Sequence, residues 1–176
     1  MKLNLGCGFK HREGFVNIDS NPACEPDKLM DLENPAVFGW PGRPDVDEVV
    51  AHHIFEHIQN FNGLMKWLYL AMEPGALMDV RVPHPRSDYF TDDPTHVRPI
   101  TVGTFCLLSK KECARWKEMG ASNTPLADIL GVDFEIVSHE SFVSSRFKDT
   151  PKNELEFMAR HYWNIIDEVH LVIRRV

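Results

Sequence analysis

The glycine pair that follows the first apolar run constrains this chain more than any other feature. Met1-Lys-Leu-Asn-Leu-Gly6-Cys-Gly8 reads as a buried strand passing into a glycine loop, and Asp19 closes a second apolar run, Phe15-Val-Asn-Ile18. Glycines at the carboxyl end of a strand let a ligand touch bare backbone. An acidic side chain at the end of the next strand can accept hydrogen bonds from both hydroxyls of a ribose. The pairing implies an open α/β sheet that holds a nucleoside. It also excludes the usual dinucleotide site, which needs G-x-G-x-x-G at the start of a helix so that helix amides and dipole meet the pyrophosphate. Here Gly8 continues as Phe9-Lys10-His11, and six residues separate it from Phe15. A parallel crossover ordinarily takes a dozen or more residues, so the two strands must be joined by an irregular loop or a single turn.

S-adenosylmethionine carries an adenosine and a methionine tail but no phosphate, and has no need of a helix dipole. On Gly6, Gly8, Asp19 and the shortened crossover, the chain resembles the class I S-adenosylmethionine-dependent methyltransferases, of the small, methyltransferase type 11-like kind with a shortened N-terminal half. Further segments carry the resemblance in the order the family requires. Leu29-Met-Asp-Leu32 looks like the end of a third strand, Val46-Asp-Glu-Val-Val-Ala51 like the fourth, and His52-His-Ile-Phe-Glu-His-Ile58 like the His-x-x-Glu-His segment after it. Met72-Glu-Pro-Gly-Ala-Leu-Met-Asp-Val-Arg-Val-Pro83 looks like the Pro-Gly-Gly turn and fifth strand, with Ala76 in place of the second glycine. The resemblance implies a Rossmann-like three-layer α/β sandwich around a mostly parallel seven-stranded sheet whose last strand is antiparallel. It implies S-adenosyl-L-methionine as cofactor, held by Asn4, Leu5, Gly6, Cys7, Gly8, Asp19, Ser20, Asp31, Leu32, His52 and His53, with Asp19 at the ribose and Asp31 at the adenine amino group. It implies no metal.

Composition permits this without adding much. At 176 residues the chain has the size of one domain, residues 1–176, and can bury a sizeable core. A formal net charge of -7 argues against general nucleic-acid binding, which draws on clustered Lys and Arg. No apolar stretch has the length of a membrane span, and the N-terminus reads as a strand rather than a signal segment. A cytoplasmic location is expected. Cys7, Cys24, Cys106 and Cys113 show no C-x-x-C spacing and are expected to be free thiols, with Cys7 a small side chain under the loop.

The remaining pattern alternates strand and helix. Asn60 or Asn62 can cap a helix carrying Leu64, Leu68, Ala71 and Met72 on one face and ending at Pro74-Gly75; a strand follows over Leu77 to Val82. Thr101 can cap a short helix, and Ser109-Lys-Lys-Glu112 opens another that ends at Gly120. Val132–Val137 and Glu168–Ile173 read as the last strands. Glu154–Trp163 between them reads as an inserted helix, with Tyr162 and Trp163 suited to a pocket wall or a homodimer contact. The proline-rich stretch Pro35 to Pro44 is too short to separate domains.

Acceptor chemistry is expected beyond the strand tips, in the loop from Pro83 to Pro99. Its prolines lower the entropy lost on ordering over a ligand, and His84, His96 and Arg98 are its catalytic candidates, ahead of Asp88, Tyr89 and Asp92. An imidazole of ordinary pKa about 6.5 can take a proton from a hydroxyl or amine near neutral pH, and a guanidinium suits a carboxylate or phosphate on the acceptor. The absence of an added recognition domain favours a small-molecule acceptor, methylated on oxygen or nitrogen. Two alternatives stand beside this expectation. His53-Ile-Phe-Glu56-His57 matches the inverted zinc-protease signature, although no third ligand is marked and the segment sits where a strand meets a helix. The shortened N-terminal half also suits a catalytically inactive module that binds a nucleoside cofactor.

Overall fold

The computed structural model describes residues 1–35 and 45–176; apart from Pro35, the proline-rich stretch lies outside the described residues. Seven strands form one sheet: β1 (Lys2–Leu5), β2 (Val16–Asp19), β3 (Lys28–Leu29), β4 (Val46–His52), β5 (Met72–Pro83), β6 (Phe134–Val143) and β7 (Ile166–Arg175). Their order is β3-β2-β1-β4-β5-β7-β6. The pairs from β3 through β5 are parallel, and β7 runs antiparallel to both β5 and β6. The winding reverses between β1 and β4. In open α/β sheets that is the point at which the loops separate and leave a crevice.

Register puts the apolar alternation on one face. Leu3 and Leu5 pair with Val49 and Ala51, these with Met78 and Val80, and these with Ile173 and Leu171; all eight are at most 1% exposed. Against them lie α1 (Phe61–Ala71) and α3 (Val102–Cys106), which contribute Leu64, Leu68 and Phe105 to the core. Burying each such side chain is worth about 1.5–3 kcal/mol relative to exposure. Phe55, Phe61 and Phe105 meet ring to ring at centroid separations of 5.6, 6.1 and 6.2 Å, fixing the turn after β4 against both helices. The opposite face is polar and only partly covered: Asn4 and Asn17 pair on β1 and β2, and His52, Asp79, Arg81 and His170 run across β4, β5 and β7.

The expected caps form. The Asn60 side chain accepts from Gly63 N at the start of α1, Thr101 completes a capping box on α3, and Ser109 caps α4 (Lys110–Glu118). Two element ends differ from the sequence pattern, and two short helices are added to it. Helix α1 stops at Ala71, because Met72 already pairs with Val46; Pro74 and Gly75 then fall in a register shift, where a residue without an amide donor is tolerated. Strand β6 extends to Val143 through the polar run Ser138-His-Glu-Ser141, since an edge strand has one neighbour and needs no apolar outer face. Two short helices interrupt stretches without helical periodicity, α2 (Asp88–Thr91) and α5 (Leu126–Leu130). The inserted helix is α6 (Lys152–His161). Among the described residues, no helix is long and apolar enough to cross a membrane.

Candidate functional site

The loop after β1 is held without a helix. Gly6 and Gly8 have φ of +59° and +49°, a region that side chains disfavour, and a Cβ on Gly6 would come within 2.7 Å of Ile54 Cδ1. Cys7 N donates to Ile18 O at 3.0 Å and Gly8 N to Asp19 Oδ2 at 2.8 Å. Beneath the loop, Asn4 Nδ2 donates to Lys10 O and to Asn17 Oδ1, which also accepts from Arg12 N. Asn17 is in turn fixed by Asp27, whose Oδ2 accepts from its backbone and its side-chain nitrogens; these two bonds hold the Asp27 carboxyl below the ordinary carboxylate range. Asn17 and Asp27 thus replace the missing crossover helix as the loop's support. Spacing alone did not reveal this, although an asparagine inside a short apolar strand was the available signal.

Three adjoining hollows, here called the lobes of one cleft, lie at the strand tips. The first, about 200 Å³, is lined by Gly6, Asp19, Ser20, Asp31, Leu32 and Ile54. The second, about 460 Å³, is lined by Asn4, Cys7, Gly8, Arg12, His52 and Arg81. The third, about 480 Å³, is lined by Glu56, His57, Tyr89, Asp93, His96 and Asp167. Gly6 borders the first and second lobes, His57 the first and third, and His53 with Glu168 the second and third. A hollow of about 560 Å³ lies between α4 and α5, but it is far in the sequence from the strand tips and brings together no histidine or glycine loop.

Of the residues expected to hold a cofactor, ten line this cleft. Leu5 does not: its side chain is 1% exposed in the core. Asp19 spends one hydrogen bond per carboxylate oxygen, on Gly8 N and Asn21 N, leaving acceptor capacity on both for hydroxyls. Asp31 likewise accepts from Glu33 N through Oδ1. Burial, with the nearby Asp19 charge, pushes the Cys7 thiol up to about 11, so it is protonated and inert near neutral pH.

His53 occupies the junction. Its φ is +54°, outside the range comfortable for a non-glycine residue, and such a conformation costs about 1–3 kcal/mol that the surroundings must offset. They do so on three sides. His53 N donates to Arg81 O at 2.8 Å, Nε2 meets Glu168 Oε2 at 2.7 Å, and Nδ1 lies 3.5 Å from Glu56 Oε1. Glu56 first, and Glu168 after it, raise the imidazole pKa, and burial opposes them. Glu168 also accepts from Arg81 NH1. Next to it, Arg12 can only donate to His52 Nδ1, so His52 carries its proton on Nε2 and gives it to Asp79 Oδ1 at 2.8 Å. That bond first, and then His170, whose Nε2 lies 3.0 Å from the same oxygen, hold Asp79 below the usual carboxylate range.

The loop after β5 divides. His96 enters the third lobe, its side chain 8% exposed and its Nδ1 donating to Phe90 O at 2.8 Å. His84 turns to its own loop, where Nδ1 accepts from Arg86 N, and burial followed by the Arg86 charge lowers its pKa; it does not line the cleft. Arg98 donates to Gln59 O at 2.5 Å and anchors the start of α1, also outside the cleft. Asp88 is paired with Asn164, Tyr89 lines the third lobe, and Asp92 is exposed. Tyr162 and Trp163 are each 55% exposed and away from the lobes. The zinc-protease geometry is absent. That signature needs both histidines on one helix, whereas His53 lies in a left-handed turn and Phe55–His57 is a single 3₁₀ turn.

The sheet order, the antiparallel β7 and the cleft at the switch point are those of the class I S-adenosylmethionine-dependent methyltransferase fold, and solved structures of that class superpose on the whole chain. The chain is similar to an S-adenosylmethionine-dependent methyltransferase from Archaeoglobus fulgidus, with 20% identity and a TM-score of 0.62 over 99% of this chain and 85% of that one. It is similar to another from Mesorhizobium loti, with 18% identity and a TM-score of 0.52 over 99% and 90%. It is also similar to the [4+2]-cyclase SpnF, with 11% identity and a TM-score of 0.56 over 99% and 74%. No family model matches the chain, and no curated protein does.

Proposed function

We propose that this chain is an S-adenosylmethionine-dependent methyltransferase whose acceptor is a small molecule. The observation that carries it is that the glycine loop and the two acids line one lobe directly beside a larger one. Gly6, Asp19, Asp31 and Leu32 converge on one lobe, and His57 stands between it and the third lobe, a chamber of acceptor size. Asp19 would take the ribose hydroxyls, Asp31 the adenine amino group, and the Gly6–Gly8 backbone with His52 the methionine end. The cofactor supplies an activated methyl group on a sulfonium, so the protein has mainly to align the acceptor and exclude water.

Four acids, Glu56, Asp93, Asp167 and Glu168, border the acceptor chamber with His53, His57 and His96. This charge balance favours an amine or hydroxyl acceptor over a carboxylate or phosphate, and Arg98, which would have suited an anion, is committed to Gln59. The imidazole of His96 is the candidate that faces the acceptor. Four free cysteines support a reducing, cytosolic setting. One core running from Leu3 to Ile173 supports reading residues 1–176 as a single domain. The test is release of S-adenosylhomocysteine from S-adenosylmethionine against a panel of amines, phenols and sugars. Turnover lost in Asp19→Ala and His96→Ala supports the proposal; tight cofactor binding with no turnover on any acceptor would favour a binding module instead.

A further inference from the structure

We propose that Glu56, His57 and His96 hold a divalent transition-metal cation at the wall of the third lobe, and that this cation fixes the acceptor's oxygen. The role, though not the site itself, rests on the methyltransferase proposal. One donor atom from each of the three residues lies within 4.8 Å of the others. Donors around a metal bound at about 2.0–2.1 Å sit roughly 3–3.5 Å apart, so small side-chain rotations close the set.

Glu56 needs such a partner. It is 0% exposed and lines the lobe, yet neither carboxylate oxygen has a hydrogen-bond partner among the described residues. The nearest cationic group is His53, with Nδ1 at 3.5 Å from Oε1, and the other imidazole nitrogen of His53 is committed to Glu168. A buried carboxylate without hydrogen bonds is destabilising unless a cation faces it.

In both histidines the hydrogen bonds occupy Nδ1 and leave Nε2 for a ligand. The Thr95 hydroxyl has one proton and gives it to Asp93 Oδ1 at 2.6 Å, so toward His57 Nδ1, 2.9 Å away, it can only accept. His57 therefore carries its proton on Nδ1 and its free lone pair on Nε2. His96 donates from Nδ1 to Phe90 O, and its Nε2, 3.8 Å from Asp93 Oδ2, makes no hydrogen bond among the described residues. An N–H given to a carbonyl or hydroxyl behind the ring is the usual support of a metal-binding imidazole. The segment is fixed as a unit: Val97 N donates to Glu56 O at 2.8 Å, and the two imidazoles pack at 4.6 Å between centroids.

Two imidazoles and one carboxylate suit Zn²⁺, Mn²⁺, Fe²⁺ or Co²⁺ over Mg²⁺ or Ca²⁺, which prefer all-oxygen sites. A cation so placed would lower the pKa of an acceptor hydroxyl bound to it. The proton leaves to solvent, an oxygen lone pair forms the new bond to the methyl carbon, and the C–S pair returns to sulfur, giving a methyl ether and S-adenosylhomocysteine.

The experiment is calorimetric titration of chelator-treated protein with Zn²⁺, Mn²⁺ and Co²⁺, with the visible spectrum of the Co²⁺ form recorded for imidazole ligation. One equivalent is expected to bind, at least tenfold more weakly in His57→Ala and in His96→Ala. Thr95→Val, which removes the hydroxyl that supports His57 and binds Asp93 but leaves the three proposed ligands in place, is expected to weaken binding about tenfold, and the exposed His139→Ala is expected to leave it unchanged. Failure of all three cations to bind stoichiometrically, or equal affinity in both histidine variants, overturns the site. S-adenosylhomocysteine is titrated into the same samples. If it binds while the cation does not, the metal site alone falls; if the cation binds at these histidines but the nucleoside does not, the site stands and the methyltransferase proposal falls.

Discussion

The two ends of the cleft are built in opposite ways. The end proposed to take the nucleoside comes from consecutive chain: β1, the glycine loop, β2 and the segment through Leu32 supply Gly6, Gly8, Asp19, Asp31 and Leu32, and short-range bonds through Asn4, Asn17 and Asp27 stiffen it. The end proposed to take the acceptor is assembled from three distant segments, around His53–His57, Tyr89–His96 and Asp167–Glu168, brought together by β5, the antiparallel β7 and the Glu56–Val97 bond. A site made of local contacts can be kept while a site made of long-range contacts is rebuilt by changing one loop. This division suits a fold whose members share a cofactor and differ in what they act on.

The difference can be broken most directly at Gly6. Gly6→Ala puts a Cβ 2.7 Å from Ile54 Cδ1 at a φ of +59°; it should destabilise the fold by about 1–3 kcal/mol by urea unfolding and, by distorting the loop's close approach, reduce S-adenosylhomocysteine affinity on the order of a hundredfold. Normal affinity would mean that the loop does not touch the ligand. At the other end, Glu168→Ala removes the bonds to His53 and Arg81, and should lower unfolding stability by about 2 kcal/mol while nucleoside affinity changes less than about threefold. A larger loss of nucleoside affinity would show that the two ends are coupled through His53.

Two smaller effects sharpen the picture. Asp79 is held below its ordinary range by His52 and then His170, so its contribution to stability is full above the unfolded carboxylate pKa and is lost as pH falls through the lower folded value. The side chain is 39% exposed, so Asp79→Asn should cost no more than about 1 kcal/mol at pH 7, and the gap from wild type should close below about pH 4. A gap that persists in acid would assign the effect to packing. With its thiol pushed up to about 11, Cys7 should alkylate at pH 8 roughly a hundredfold more slowly than an ordinary thiol of pKa about 8.5. Peptide mapping after iodoacetamide, with denatured protein as control, checks this.

The same division explains what the sequence could reveal. Gly6-x-Gly8 and Asp19 were legible because spacing along the chain equals geometry when strands are short and neighbouring. The succession of strands and helices followed from alternation, and Asn60, Thr101 and Ser109 announced their helices because capping is a local bond. Pro74-Gly75 misled, since a helix stop and a strand bulge use the same residues and only the Met72–Val46 pairing distinguishes them. In the loop after β5, composition marked His84, His96 and Arg98 alike, but side-chain direction depends on which backbone groups lie nearby. Phe90 O turns His96 into the cleft, while Gln59 O takes Arg98 away from it. Glu168 could not be identified at all, because its role is set by the register that pairs Pro83 with it across an antiparallel strand. His53 was visible as part of a motif whose helical geometry the chain does not adopt.

The central claim is that the local end of the cleft binds the nucleoside of S-adenosylmethionine through Asp19. Calorimetric titration of the wild type and Asp19→Ala with S-adenosylhomocysteine tests it in one experiment, with circular dichroism to verify that the variant is folded. We expect saturable one-to-one binding by the wild type and at least tenfold weaker binding by the variant, as loss of charge-assisted hydrogen bonds of about 1.5–3 kcal/mol requires. No binding by the wild type, or equal affinity in a folded variant, would contradict the account.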